Sequence, residues 1–400
     1  MSVLRMSTAA LHAQGLQGLL QQQQNVARTQ QELVSRTKLL RGADDPSGMA
    51  RAQGLDHALA SLQQQDRNAS LVQHRLRSQE AAMADAGSQL DRARELAVQA
   101  NSGALSAEDR ASIAAELRFV RSELLAIANR EDGNGRRLFS GTRDGVIPFA
   151  DNAGLVTYAG DDGRNQVEVG PDQWVADGNP GSEVFLRVRT GDGIVRGSAT
   201  PGNAGTGVLQ SSGVTDHAAW GGQALRVEFT DAETWRVVDG AGTQLATGSY
   251  APGATISAGG LQLAISGVPG AGDSFTIEPA STRDVFATLQ GLADALEAPA
   301  ASPVEQARRD NLLGAALGDI ATAQNHMLGV RSGVGTRLAA IDSAENVRGA
   351  TDLTLQASLS DLRDVDFAEA ASRLALQLTA LEAAQKTMLR VQGLSLFDRL

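Results

Sequence analysis

Few residues in this 400-residue chain are of the kinds that do chemistry, and those present are not spaced to act together. The five histidines are His12, His57, His74, His217 and His326. No two stand at i, i+4 or in an HExxH pattern, the spacing that sets two imidazoles on one helix face for zinc. Scattered histidines of this kind sit at the surface or in ordinary hydrogen bonds. Cysteine is absent, which removes thiol nucleophiles, thiolate metal sites and disulfides. The glycine-rich run Pro201–Gly207 (PGNAGTG) would cradle a phosphate only with a strand before it and a Lys-Ser/Thr pair after it; it has neither and reads as a loop. Asp161 and Asp162 before Gly163 lack the repeated acidic spacing of a calcium loop and read as a turn. No triad or convergent polar cluster emerges, so neither an enzyme nor a cofactor is expected.

The residues with a definite physical chemistry are those that end helices. Asp44, Asp45 and Pro46 lie in GADDPSG (42–48). Asp45 can accept the free N–H groups of a new helix, and Pro46 suits its first position because the missing N–H has no partner there. Such a break lets the segment before it pivot against the helix after it.

What these breaks separate is legible from periodicity. Before the first, Leu19, Val26, Leu33 and Leu40 recur every seven residues, flanked by Leu16, Leu20 and Val34, with Leu11 ahead of them. Polar Gln23, Gln30 and Thr37 take the second seam position, which leaves a weak autonomous coiled coil. After the break, Leu55, Leu62, Ala69, Leu76, Met83, Leu90 and Ala97 form one seam position, and Ala58, Gln65, Val72, Gln79, Ala86, Ala93 and Ala100 the other. Seven heptads make a rod of about 70 Å at ~1.5 Å per residue. Ser106, with Asp109 three residues on, starts an antiparallel partner carrying Ile113, Leu117, Val120, Leu124 and Ile127.

Residues 131–280 then hold 28 of the 43 glycines and all three tryptophans (Trp174, Trp220, Trp235). DGNGRRLFSG (132–141) predicts a tight turn and a short strand. Further strands are expected at 155–158, 166–169, 184–189, 225–229, 234–238, 261–265 and 274–278, with the tryptophans in their core. Helical register returns at Asp284. A second rod has Leu313, Ile320, Met327, Val334 and Ile341 at seven-residue spacing, and DLRDVD (361–366) breaks it. A last amphipathic helix carries Leu374, Leu378, Leu381, Met388, Val391, Leu394, Leu396 and Phe397.

The expected fold is therefore α+β: a long antiparallel helical coiled-coil rod built from both termini, with a small antiparallel β domain inserted. The divisions are an N-terminal arm 1–42, a rod with hairpin 43–149, the β domain 150–280, a rod return 281–362 and a C-terminal arm 363–400. The two arms, each set off by an acidic break, are expected to pair. With a formal charge of −11 and only two lysines, Lys38 and Lys386, binding to nucleic acid has no phosphate-neutralising patch. No apolar run is long enough for a membrane span, and Met1–Gln14 lacks a signal-peptide core.

Several of these stretches resemble one family in its own order: RMSTAA (5–10), LVSRTKLLRGADDPSGMARA (33–52), LDRARELAVQANSGALSAEDRASIAAEL (90–117), DGNGRRLFSG (132–141) and the segment from Asp364 to the end. The chain is similar to the flagellar hook-associated protein 3 (FlgL) family, within the flagellin-like superfamily. Flagellins usually carry DDA where this chain has Asp44-Asp45-Pro46 and a QFNG-type hairpin where it has RLFSG, and the ending GLSLFDRL also resembles the junction family. The start is extended to MSVLRMST and the loop before DDP is shortened.

The resemblance implies a structural axial protein of the bacterial flagellum that joins hook to filament; the alternative is a flagellin filament subunit. It implies secretion to the extracellular flagellum by the flagellar type III apparatus without a cleaved signal peptide. The implied partners are hook-associated protein 1 on the hook side, flagellin on the distal side, copies of the same chain in a ring, and an export chaperone. The two apolar stripes, Leu11 to Leu40 and Leu374 to Phe397, are the expected subunit interface. Isolated helices with interrupted seams bury too little to order alone, so about the first 40 and last 35 residues are expected to be mobile in solution and to become ordered only in an assembly.

Overall fold

The computed structural model describes residues 8–43, 45–101 and 105–397, without the side chains of residues 8, 9, 11, 12 and 391–397. Seven α-helices are described: α1 (Thr8–Ser35), α2 (Pro46–Ala100), α3 (Ala107–Ala128), the short α4 (His217–Trp220), α5 (Val285–Glu297), α6 (Pro303–Arg363) and α7 (Phe367–Phe397). Contacts divide the chain into two compact units, one of residues 1–67 with 345–400 and one of residues 68–344.

In the larger unit the heptad seams do what their spacing predicts. Leu76, Met83, Leu90 and Ala97 of α2 and Leu313, Ile320, Met327, Val334 and Ile341 of α6 are buried in one cluster with Ile113, Leu117, Val120, Leu124 and Ile127 of α3. The pairing of α2 with α6 is antiparallel, since Gln73 bonds to Asp342, Glu80 to Arg331 and Asp91 to Gln324. A capping box starts α3: Ser106 Oγ accepts from Asp109 N–H, and the Asp109 carboxylate accepts from Ser106 N–H. Polar seam positions are satisfied rather than empty. The buried Gln79 amide donates to Leu138 O at 3.1 Å and Asn179 O at 2.8 Å, and accepts from Asn179 N–H. Arg75, one turn earlier on α2, pairs with Asp132, Asp144 and Asp177. One helix thus holds the loops that follow the hairpin.

Two hairpins lie on this rod, β1 (Phe149–Asn152) with β2 (Leu155–Tyr158) and β3 (Gln166–Gly170) with β4 (Gln173–Ala176). Phe149 packs in an aromatic group with Phe185 and Phe286, and Phe185 meets Phe139 edge-on at 5.1 Å. This group explains one failed expectation. Residues 184–189 are not a strand; Ser182–Leu186 is a π-helical turn, and only β5 (Val188–Arg189) is extended. A strand would send Val184 and Phe185 to opposite faces, whereas both are fully buried. RLFSG (137–141) is likewise a turn with an isolated Glu131–Arg137 bridge and no strand.

The remaining strands form a β module with its own core. They are β6 (Val195–Ala199), β7 (Val208–Val214), β8 (Leu225–Phe229), β9 (Thr234–Asp239), β10 (Gln244–Ser249), β11 (Thr255–Ala258), β12 (Leu261–Ser266), β13 (Ser274–Pro279) and β14 (Thr282–Arg283). A five-stranded antiparallel sheet has the order β10-β9-β8-β13-β6 and a three-stranded one β11-β12-β7; β14 pairs with β5. Phe229, Tyr250, Phe275, Ile265 and Trp220 fill the core. The tryptophans divide. Trp220 is buried, Trp235 is half-buried, and Trp174 on β4 is 60% exposed, because the inward positions of that hairpin belong to Val169 and Val175.

Candidate assembly interface

The smaller unit carries the two arms and the breaks that aim them. At the first break Asp45 Oδ1 accepts from Gly48 N–H and from Ser47 Oγ, each at 2.8 Å, and α2 opens on Pro46. The Gly48 N–H bond comes first among the interactions that hold the Asp45 carboxyl below its usual range. Asp44 lies outside the described residues. At the second break Asp366 Oδ1 accepts from Ala368 and Glu369 N–H at the start of α7. The two breaks are stitched together: Lys38 N–H donates to Arg363 O at 2.8 Å, Val365 N–H to Arg36 O at 3.1 Å, and Thr37 bridges Asp364.

That stitch corrects the extent of the first arm. α1 ends at Ser35, not near Leu40, because Arg36 turns into the left-handed region at φ 60° so that the chain can pair with the segment before α7. A non-glycine residue there costs about 1 kcal/mol, and the three backbone contacts supply the compensation.

The arms run antiparallel, with Glu32 beside Arg373 and Gly15 beside Met388. The seam is not the heptad stripe alone. Val26 is buried, but so are Thr29 and Glu32, while Gln23 and Gln30 are exposed. Glu32 accepts from Arg28 at 3.2 Å and lies 3.6 Å from Arg373. A buried carboxylate held by two guanidiniums fixes the register of α1 on α7 more sharply than alternating leucines do.

Of the other stripe residues, Leu19, Leu33, Leu40, Leu374, Leu381 and Met388 are half-buried, and Leu16 and Leu378 are exposed. The side chains of Leu11, Val391, Leu394, Leu396 and Phe397 lie outside those described. Leu20 and Val34, which flank the heptad of α1, are at least half exposed, and so are Phe367, Leu376 and Leu389, which sequence periodicity missed. On α7, Phe367, Leu378 and Leu389 recur every eleven residues, three helical turns, and so share a side. They are 53, 41 and 67% exposed. The single arm pair thus leaves an apolar stripe without intramolecular cover.

Among the described residues no group of three or more His, Asp or Glu is placed to hold a metal ion. His326 is bound to Glu183 O at 2.8 Å. No described helix is long and apolar enough to cross a membrane.

Comparison with known proteins agrees with a chain built around its arms. Residues 6–144 match the bacterial flagellin N-terminal helical region and residues 317–398 the C-terminal helical region. The FlgL crystal structure from Xanthomonas campestris is 42% identical, covering 76% of this chain and 99% of that one with a TM-score of 0.72. The chain belongs to the FlgL family of flagellar hook-associated proteins. The Legionella pneumophila flagellar junction protein FlgL is 28% identical over 79% of this chain and all of that one (TM-score 0.71). Escherichia coli flagellar hook-associated protein 3 is 24% identical over 99% of both chains. Flagellins align over shorter stretches, that of Bacillus subtilis over 38% of this chain. A FlgL-family chain is a structural protein of the flagellum. Its α+β architecture, long helices around an antiparallel β insert, is the one read from the sequence.

Proposed function

We propose that this FlgL-family chain joins the flagellar hook to the filament by burying the exposed stripes of α1 and α7 against neighbouring subunits. The observation that carries the reading is the run of Phe367, Leu378 and Leu389 along one side of α7, left bare by the arm pair. Contacts in such an array are heterologous, so two different faces of the same chain must serve. Hook-associated protein 1 would meet one face and flagellin the other, with copies of the chain beside it in a ring. The arms 1–42 and 363–400 are the assembly segments, 43–149 and 281–362 the rod, and 150–280 the outward β domain. The chain acts without catalysis, and it reaches the outside of the cell through the flagellar type III apparatus, with an export chaperone as an escort.

Deletion of the gene, followed by motility and secretion assays, tests this. The expected result is an intact hook, no filament, and flagellin monomers shed into the medium. Filaments that still assemble on the deleted strain would refute it. Robust self-polymerisation of the purified chain into filaments would favour a flagellin instead.

A further inference from the structure

The β module is joined to the rest of its unit by a narrow neck. Only β5 and β14, two residues each, continue the chain into and out of it, with Thr190 N–H donating to Ser281 O at 3.0 Å beside them. Its core of Trp220, Phe229, Tyr250 and Phe275 shares no residue with the core of the rod. A body with its own core and a two-strand neck takes its direction from whatever else touches it.

What touches it is one polar face of α6. Arg308 donates to Asn203 O at 2.7 Å. Asn311 accepts from Leu209 N–H at 2.9 Å and donates to Gly207 O at 2.9 Å. Thr322 Oγ1 donates to Gly191 O. Between them stands Asp319, which is buried. Its Oδ1 accepts from Gly191 N–H at 2.7 Å, and its two oxygens take Arg196 as a fork, Nε at 3.2 Å and Nη2 at 3.0 Å. Arg283, on the neck strand β14, is 3.9 Å away. The rest of this face is small, with Gly314, Ala315, Gly318 and Ala321 flooring a groove of about 410 Å³ between α6 and strands β6 and β7. The module is therefore not welded to α6 by apolar packing. It is held by a few polar atoms across a partly open groove.

We propose that Asp319 is a latch: it is the positioning residue that holds a separately folded β module against α6, and its loss frees the module to swing about the β5–β14 neck. The argument is energetic. Gly191 N–H and the Arg196 guanidinium lose their acceptor when the carboxylate goes, and docked but unpaired groups are strongly disfavoured, whereas the undocked arrangement returns them to water. The hydrogen bonds of Arg308, Asn311 and Thr322 also exchange for water with little net change. Removing the carboxylate should therefore shift the docked–undocked balance by on the order of 100-fold.

The chain has no cysteine, so paired spin labels can be placed cleanly. Labels at Ala241→Cys on the β9–β10 turn and Leu328→Cys on α6, in the full-length chain, would report the separation by pulsed electron resonance. The unaltered latch should give one narrow distance distribution. Asp319→Ala, and independently Arg196→Gln on the module side, should broaden it or add a second, distinct population. The module core should stay intact, read as an unchanged emission of Trp220 in a background where Trp174 and Trp235 are replaced by Phe, and as an unchanged melting transition. A narrow distribution in Arg196→Gln would overturn the proposal, as would broadening that appears only with loss of that Trp220 signal. Arg196→Gln decides the matter alone if Asp319→Ala does not fold.

Discussion

Replacing Leu378 and Leu389 by alanine separates the assembly role of α7 from its folding role. The two side chains are 41 and 67% exposed, so together they leave about one leucine's worth of apolar surface uncovered in the free chain. Burying that surface against a neighbour is worth roughly 2–3 kcal/mol, or a factor of about 30–150 in affinity at each contact. The same change costs the free chain little, because alanine is the better helix former at an exposed position and such substitutions stay within about 0.5 kcal/mol. The double variant, returned to a strain lacking the gene, should swim poorly and shed flagellin into the medium. The purified variant should keep its helical circular dichroism and its melting temperature to within a degree or two. Normal filaments on that strain would refute the stripe as an interface. So would a melting temperature several degrees lower, which would mean that the leucines pack within the chain.

Three further outcomes follow from the larger unit. Arg75→Ala strands Asp132, Asp144 and Asp177 around a vacated buried position and should destabilise that unit by ~3–5 kcal/mol in urea unfolding. Phe149→Ala removes the ring shared by Phe185, Tyr158 and Phe286 and should cost a similar ~3–5 kcal/mol; a loss under about 1 kcal/mol would show that the pocket collapses freely. Burial foremost pushes the Tyr158 phenol up to about 12, and its hydroxyl donates to Phe139 O and Asp161 O at 2.9 Å each. The proton is bound more tightly in the folded state than in the unfolded one, where the phenol titrates near 10. Its contribution is thus complete below about pH 10 and lost between about pH 10 and 12. Denaturation midpoints should fall across that window, and Tyr158→Phe should flatten the fall.

The elements that pack by a repeating stripe were legible in the sequence. In α2, α3 and α6 every turn meets a similar neighbour, so period and burial coincide, and Leu76, Met83, Leu313, Ile320 and Val334 are buried as their spacing predicts. Helix ends were legible for the same local reason: the capping box of Ser106 and Asp109 and the start of α2 at Pro46 depend on residues within one turn. Strands rich in glycine, serine and glutamine, such as β7 and β10, carry no apolar alternation and could be found only through the strands they pair with.

Non-local contacts decided the rest. The end of α1 at Ser35 is set by a backbone stitch to residues more than 300 positions away. The burial of Glu32 depends on Arg373 arriving from the other terminus, and the π-helical turn at Ser182–Leu186 on an aromatic group drawn from three segments. By itself the sequence determined that this is a rod protein with amphipathic arms and a β insert, because a heptad and a cap are written in adjacent residues. Only the tertiary structure decided which apolar residues the arms leave bare and that the buried Asp319 carboxylate holds Gly191 and Arg196 of the β-module side, because exposure and pairing are properties of what lies opposite.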